Sequence, residues 1–370
     1  MTIVYVFHSI ALWGGIERIL TDKMNWLAAQ GHRVVLLTTD QGSHPLPYAL
    51  DKRVIHTDLR ISFHHQYRYR GLHRLYDLWC RHRTFRRRLS QQLALLQPDV
   101  LVGTTTSFAG TLTRIKQTVP LVIESHTICR QLVDGGRLRH LRRMLLLRQL
   151  RRADVLVTLT DGDAADWRQH LRNVVVIPNM VHAPNILRQA PLTAHRVLFV
   201  GRLEPQKQVH HLLAAWREVK TTHSDWTLSL YGDGILREQL KQEAASTTEG
   251  VEIHAPTSNI FDCYAEASIL VLTSTYEPFG LVLAEAMLCG VPVIAYDCPY
   301  GPRAIISDGE NGFLIPQSDI PSLAQRLSLL MDNEHLRRQM GRQAQSAARR
   351  YLAGEVMPLW VSLFNSLAPH

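Results

Sequence analysis

Two glutamates eight residues apart, Glu277 and Glu285, and a basic pair five apart, Arg202 and Lys207, are the residues of this 370-residue chain best suited to chemistry. The run Glu277-Pro278-Phe279-Gly280-Leu281 crosses from a loop into a helix. Gly280 at the start of that helix leaves N–H groups open to a phosphate or sugar oxygen. Glu277 can accept hydroxyl hydrogen bonds from a sugar, and Glu285, about two turns on, from a ribose. Arg202 and Lys207, in Gly201-Arg202-Leu203-Glu204-Pro205-Gln206-Lys207, can supply positive charge where a departing diphosphate develops negative charge. A third loop, Trp13-Gly14-Gly15-Ile16-Glu17, pairs glycines before a helix. There the backbone can approach a phosphate. The dinucleotide spacing G-x-G-x-x-G is absent, which argues against a nicotinamide enzyme.

Such loops must be held at the ends of strands. Short apolar runs alternate with helical patterns: strands are expected at 2–8, 33–38, 99–103, 120–124, 155–159 and 174–177. After a linker rich in proline and asparagine the rhythm restarts at 195–200, 226–231, 251–254, 268–272, 291–295 and 313–315. Continuous apolar strands with helices between them indicate parallel sheets covered on both faces. The reading is α/β: two Rossmann-like doubly wound domains facing a central cleft, with ligands at the carboxyl ends of the strands. The expected domains are 1–182, a linker 183–193, a second domain 194–350, and a C-terminal helix over 351–370 returning to the first domain. Trp360 and Phe364, four apart, mark one face of that helix.

At this point the motifs resemble glycosyltransferase family 4, retaining enzymes of the GT-B fold, of the type that builds bacterial surface polysaccharides. The likeness rests on Gly14-Gly15-Ile16-Glu17, Gly201-Arg202 with Lys207, and Glu277 to Glu285 continuing into Ala286-Met287-Leu288-Cys289-Gly290-Val291-Pro292-Val293-Ile294. Pro299-Tyr300-Gly301-Pro302 and Asp308-Gly309-Glu310-Asn311-Gly312 extend it. The resemblance implies that Arg202 and Lys207 bind the donor diphosphate and that Glu285 holds the ribose. It implies that Glu277 and the backbone of Phe279, Gly280 and Leu281 meet the donor sugar and β-phosphate. Gly14 and Gly15 would close over the phosphates, His254 would lie at the base, and His126 would contact the sugar. Two positions depart from the pattern: Arg303-Ala304, where relatives often carry a glutamate, and Ala255, where a glycine is expected. The expected donor is a UDP-sugar, with a GDP-sugar next, and the acceptor a lipid-linked or polysaccharide hydroxyl. A nucleotide-sugar epimerase of the same fold and a non-catalytic scaffold are the alternatives.

Neither a metal nor another cofactor is expected. Asp161-Gly162-Asp163 imitates a metal-binding D-x-D, but it follows Thr160 at a helix start, and Asp163 with Asp166 fits a capping pattern. Five scattered cysteines form no C-x-x-C pair and suggest a reducing compartment.

Residues 1–182 carry 26 Lys and Arg against 13 Asp and Glu, while the remainder carries 15 against 19. That asymmetry asks for an anionic partner of the first half. Arg68, Arg70, Arg74, Arg81, Arg83, Arg86, Arg87 and Arg88 are opposed by Asp77 alone. A second cluster, Arg137, Arg139, Arg142, Arg143, Arg148, Arg151 and Arg152, contains no acid. Leu72, Leu75 and Trp79, and Leu138, Leu141 and Leu145, recur among them at helical spacing. Basic amphipathic helices sit on anionic bilayers, so the expected location is cytoplasmic and peripheral on the inner leaflet. No nucleic-acid motif accompanies the arginines, and nucleic acid is not an expected partner. No run approaches the ~18–20 apolar residues of a membrane span. The N-terminus reads as a strand rather than a signal peptide.

Overall fold

The first strand is followed by a helix and then by a second strand lying parallel to the first, and this unit repeats through a computed structural model of the chain. It describes residues 1–68, 70–133, 137–184, 186–247 and 249–368. Asn185, expected in the linker, and the side chains of Arg137, Leu138 and Arg139 lie outside the described set. The contacts divide the chain into two compact units, Met1–Met180 with Val356–His370, and Val181–Glu355.

In the first unit the strands are β1 (Thr2–Phe7), β2 (Arg33–Thr38), β3 (Ile55–Asp58), β4 (Val100–Gly103), β5 (Leu121–Glu124), β6 (Val155–Thr158) and β7 (Val174–Val176). The helices are α1 (Gly15–Ala29), α2 (Gly71–Leu96), α3 (Ala109–Ile115), α4 (Cys129–Val133), α5 (Arg137–Leu150) and α6 (Asp161–Arg168). All pairings are parallel, in the order β3-β2-β1-β4-β5-β6-β7. Strands β1, β2, β4 and β5 are buried almost end to end, so both faces are covered and the apolar run needs no alternation. The edge strand β3, Ile-His-Thr-Asp, is partly exposed and was absent from the sequence reading.

The second unit has β8 (Arg196–Val200), β9 (Thr227–Tyr231), β10 (Val251–His254), β11 (Ile269–Leu272), β12 (Val293–Tyr296) and β13 (Gly312–Ile315), ordered β10-β9-β8-β11-β12-β13. Its helices are α7 (Val209–Lys220), α8 (Arg237–Thr247), α9 (Ile260–Ala265), α10 (Leu281–Leu288), α11 (Gly301–Ile305), α12 (Ile320–Asp332) and α13 (Glu334–Ala348). The last helix, α14 (Ala353–Leu367), buries Val356, Met357, Trp360 and Phe364. The strand expected from Val291 begins at Val293, after Gly290, which turns at φ +78, and Pro292, which has no N–H to donate to a neighbouring strand.

In each sheet the order reverses beside the first strand, between β1 and β4 and between β8 and β11. Loops at the carboxyl ends of those strands are where a doubly wound sheet offers a ligand site.

Candidate functional site

In the second unit the loops after β8 and β11 flank that reversal and are sewn together. Thr273 Oγ1 donates to the Lys207 carbonyl at 2.8 Å, and Thr275 N donates to the Gln206 carbonyl at 2.8 Å. The Gln206 amide returns a bond to the Tyr276 carbonyl at 2.8 Å. This stitching brings the Lys207 ammonium onto Glu277 Oε1, which also accepts from the Ser274 hydroxyl at 2.6 Å. The two charged side chains are 14% and 9% exposed, so the pair is largely desolvated. Glu277 is held through its backbone as well: its N–H donates to the Pro299 carbonyl, and its carbonyl accepts from Tyr300 N and Gly301 N, each at 2.8 Å. Gly280 then caps α10 at φ +89, a conformation that disfavours any other residue type.

The other expected donor residues make contacts of their own. Arg202 extends toward water and pairs with Glu204 at 3.0 Å. Glu285 is buried on α10 and accepts from the Tyr264 hydroxyl at 2.7 Å. His254 ends β10, stacks on Tyr231 at 4.5 Å between ring centroids, and meets Glu252 through Nε2 at 3.2 Å. Arg303, the departure from the family pattern, is paired with Asp297. Burial, reinforced by the Glu277 charge, pushes the Cys298 thiol up to about 12, and burial beside Glu285 does the same for Cys289. Both stay protonated and are poor nucleophiles.

In the first unit Gly14 is the N-cap of α1 and Gly15 its first residue, with open space where a Gly15 side chain would project. His126 follows β5, and its Nε2 lies 3.0 Å from Glu124 Oε2. Asp163 is committed to structure. Thr160 caps α6 by accepting from Asp163 N, and the Asp163 carboxylate takes Thr158 Oγ1, Cys129 N and Trp167 Nε1. Asp166 does not share in that cap; it pairs with Arg130 at 2.8 Å. Among the described residues no group of three or more His, Cys, Asp and Glu is arranged to hold a metal ion.

Two features escaped the sequence reading. Gly232 and Gly234 press the turn after β9 against the Arg202 loop: a Cβ would stand 1.9 Å from the Gly201 carbonyl and 2.4 Å from the Leu203 carbonyl respectively. Their only signal is a pair of glycines directly after a strand. The second is Lys23, buried on α1 against Glu124, the carboxylate that also meets His126.

The class follows from comparison. Residues 188–347 match the model described as glycosyl transferases group 1, and residues 13–183 match glycosyltransferase family 4. Each half of the chain thus matches a glycosyltransferase family model, and each folds as a Rossmann-like parallel sheet covered by helices, as in the GT-B fold.

Among curated proteins it is 33% identical over 222 residues to an exopolysaccharide phosphotransferase of Streptomyces coelicolor, covering 58% of this chain and 23% of that protein. It is 24% identical over 361 residues, 95% of this chain and 94% of the other, to a Campylobacter jejuni α-1,4-N-acetyl-D-galactosaminyltransferase. The name of that enzyme gives its acceptor as a diphosphate-undecaprenol glycan. A solved Anabaena protein, HepE, in complex with UDP and glucose, shares the fold with a TM-score of 0.77 at 20% identity, over 99% of this chain and 100% of that one. The chain's match spans 23% of that Streptomyces protein and 60% and 44% of two further curated glycosyltransferases.

Proposed function

We propose that the chain transfers a glycosyl group, with retention, from a nucleoside diphosphate sugar to a hydroxyl of a lipid-linked or polysaccharide acceptor. The observation that carries this reading is the Lys207–Glu277 pair, fixed where two loops meet at the reversal of the second sheet. Lys207, with Arg202, neutralises the diphosphate as the bond from its oxygen to the anomeric carbon breaks. The acceptor oxygen bonds to that carbon from the same face and gives its proton to a departing phosphate oxygen. Glu277 and His126 orient the sugar and form no bond to it. Gly14, Gly15, Phe279, Gly280 and Leu281 offer backbone to the phosphates, Glu285 the ribose contact, and His254 the base contact. The second unit binds the donor and the first the acceptor. UDP is the preferred nucleotide, in keeping with the UDP in the Anabaena protein.

The test is a screen of UDP-, GDP- and ADP-sugars for nucleoside diphosphate release, with and without an undecaprenyl-diphosphate glycan. Release from one donor, accelerated by acceptor, is the expected result. Conversion of a UDP-sugar to its epimer without release, or no release and no thermal shift with any nucleotide, would overturn the reading.

The first unit is proposed to rest on an anionic bilayer. On α2, Leu72, Leu75, Tyr76 and Trp79 lie along one helical stripe and are all more than half exposed. Arg74 and Arg83 flank them over the Tyr67 and Trp79 rings. On α5, Leu141, Met144 and Leu145 are exposed likewise. The two helices and α3 line a hollow of about 450 Å³, with Leu75, Leu78, Trp79, Arg86 and Arg114 among its lining residues and no acidic residue among those described. Arg81 and Arg88 are excepted from this role, since both bond carbonyls of residues 59–62 and staple that loop. No described helix is long and apolar enough to cross a membrane. Binding to phosphatidylglycerol vesicles at low salt, lost at high salt, is the expected result. Leu75→Glu with Trp79→Glu should weaken it about tenfold or more; equal binding to neutral vesicles would count against the docking.

A further inference from the structure

A lysine on the buried face of a helix is costly. On α1 the buried positions Ile19, Leu20, Lys23, Met24 and Leu27 follow helical spacing, and Lys23 sits among them with 3% of its side chain exposed. Its partner Glu124, at the end of β5, is equally buried. Removing both charges from water costs several kcal/mol per ion, so a buried pair is weak evidence of stability and needs another reason.

The reason lies in what Glu124 touches next. Lys23 Nζ donates to both Glu124 oxygens at 2.6 Å, and Oε2 also faces His126 Nε2 at 3.0 Å. Two aromatic rings also face the ammonium. Nζ lies 3.9 Å from the Trp360 ring centroid, supplied by α14, and 5.6 Å from that of Tyr5 on β1. Tyr5 is the other titratable group here, and burial, with Glu124 adding, keeps its hydroxyl protonated well above the usual range. Burial alone would raise the Glu124 carboxyl; Lys23 and His126 outweigh it and bring the group to about 2. An ionised carboxylate can only accept, so His126 Nε2 must carry the proton. Nδ1 is then the ring nitrogen that Glu124 does not engage, on a side chain 5% exposed.

We propose that Lys23 is a positioning residue for His126: it anchors and charge-balances the Glu124 carboxylate, which accepts from His126 Nε2–H and so fixes the orientation and tautomer of the ring. Nδ1 is thereby kept as an acceptor for a substrate hydroxyl. This rests on the reading of His126 as a sugar contact. A lone carboxylate at 3.0 Å would favour the charged ring, and a charged ring would present a donor at Nδ1 instead.

The test uses the full chain labelled at histidine, with the His126 ring titrated by NMR and the pH profile of kcat for donor turnover measured in parallel. In Lys23→Met the His126 midpoint should rise by at least about one pH unit. The acidic limb of kcat should move up with it, since activity falls as pH drops through that midpoint. Lys23→Gln, which keeps a donor but not the charge, should behave the same and serves if the methionine variant does not fold. Lys23→Arg should restore both curves, as should Lys23→Met combined with Glu124→Gln. An unmoved His126 midpoint in folded Lys23→Met or Lys23→Gln overturns the proposal. A moved midpoint with an unmoved kcat limb overturns the assignment of His126 to substrate and leaves the charge balance standing.

Discussion

Lys207→Ala is expected to lower donor turnover by about 100- to 1,000-fold, the usual consequence of deleting one preorganised charge at a developing anion. The effect should fall on kcat more than on KM, because the charge on the diphosphate grows as the glycosidic bond breaks. Lys207 suits this task because its position is set by the backbone: Thr273 and Thr275 bind the 206–207 carbonyls, so the ammonium needs little rearrangement. Removing it also strands Glu277, 9% exposed, with the Ser274 hydroxyl on the same oxygen. A buried carboxylate that loses its cation costs about 3–5 kcal/mol, so the single variant should melt earlier as well. Adding Glu277→Gln removes the stranded charge. The double variant should regain most of the thermal stability and none of the turnover. A Lys207→Ala protein that releases nucleotide at the parent rate would sink the assignment of the site.

What was legible in the sequence depended on how many faces a segment buries. The core strands read plainly because Val34–Leu37 or Leu270–Leu272 is apolar without interruption. The edge strand β3 did not, since Ile-His-Thr-Asp has one partner strand and no apolar run. The loops after β8 and β11 were legible as candidate sites because glycine, proline and paired charges sit directly after apolar runs. Their joining was not, because it is made by backbone carbonyls that every residue carries. Lys23 was hidden for a different reason. A lysine on an amphipathic helix is ordinarily solvated, and its partner lies 101 residues further along the chain. The arginine clusters looked uniform in sequence, yet Arg81 and Arg88 are staples while Arg74 and Arg83 flank exposed aromatics.

Gly301→Ala should cost about 100-fold in turnover although residue 301 carries no functional group. A Cβ there would stand 2.0 Å from the Phe279 carbonyl oxygen, 2.3 Å from its carbon and 2.7 Å from its Cα. All three are backbone atoms, so no side-chain rotation relieves the clash and the segment bearing Glu277 must move. The same glycine donates its N–H to the Glu277 carbonyl at 2.8 Å, so the clash and the tether act on one loop. A displacement of about 1 Å at a positioning group is enough for a loss of that size. The packing strain, about 1–3 kcal/mol, should lower the thermal midpoint of the second unit by several degrees. Gly354→Ala is the matched control, because nothing lies within 4 Å of the added methyl and the site is in α14. It should leave turnover unchanged and raise stability slightly. If Gly301→Ala lowers kcat while nucleotide affinity by titration calorimetry holds, residues 299–301 act as a splint for the glutamate. If affinity falls in step with kcat, the displaced element is the phosphate-binding start of α10 instead. In that case Gly280, at φ +89, becomes the residue on which donor binding turns.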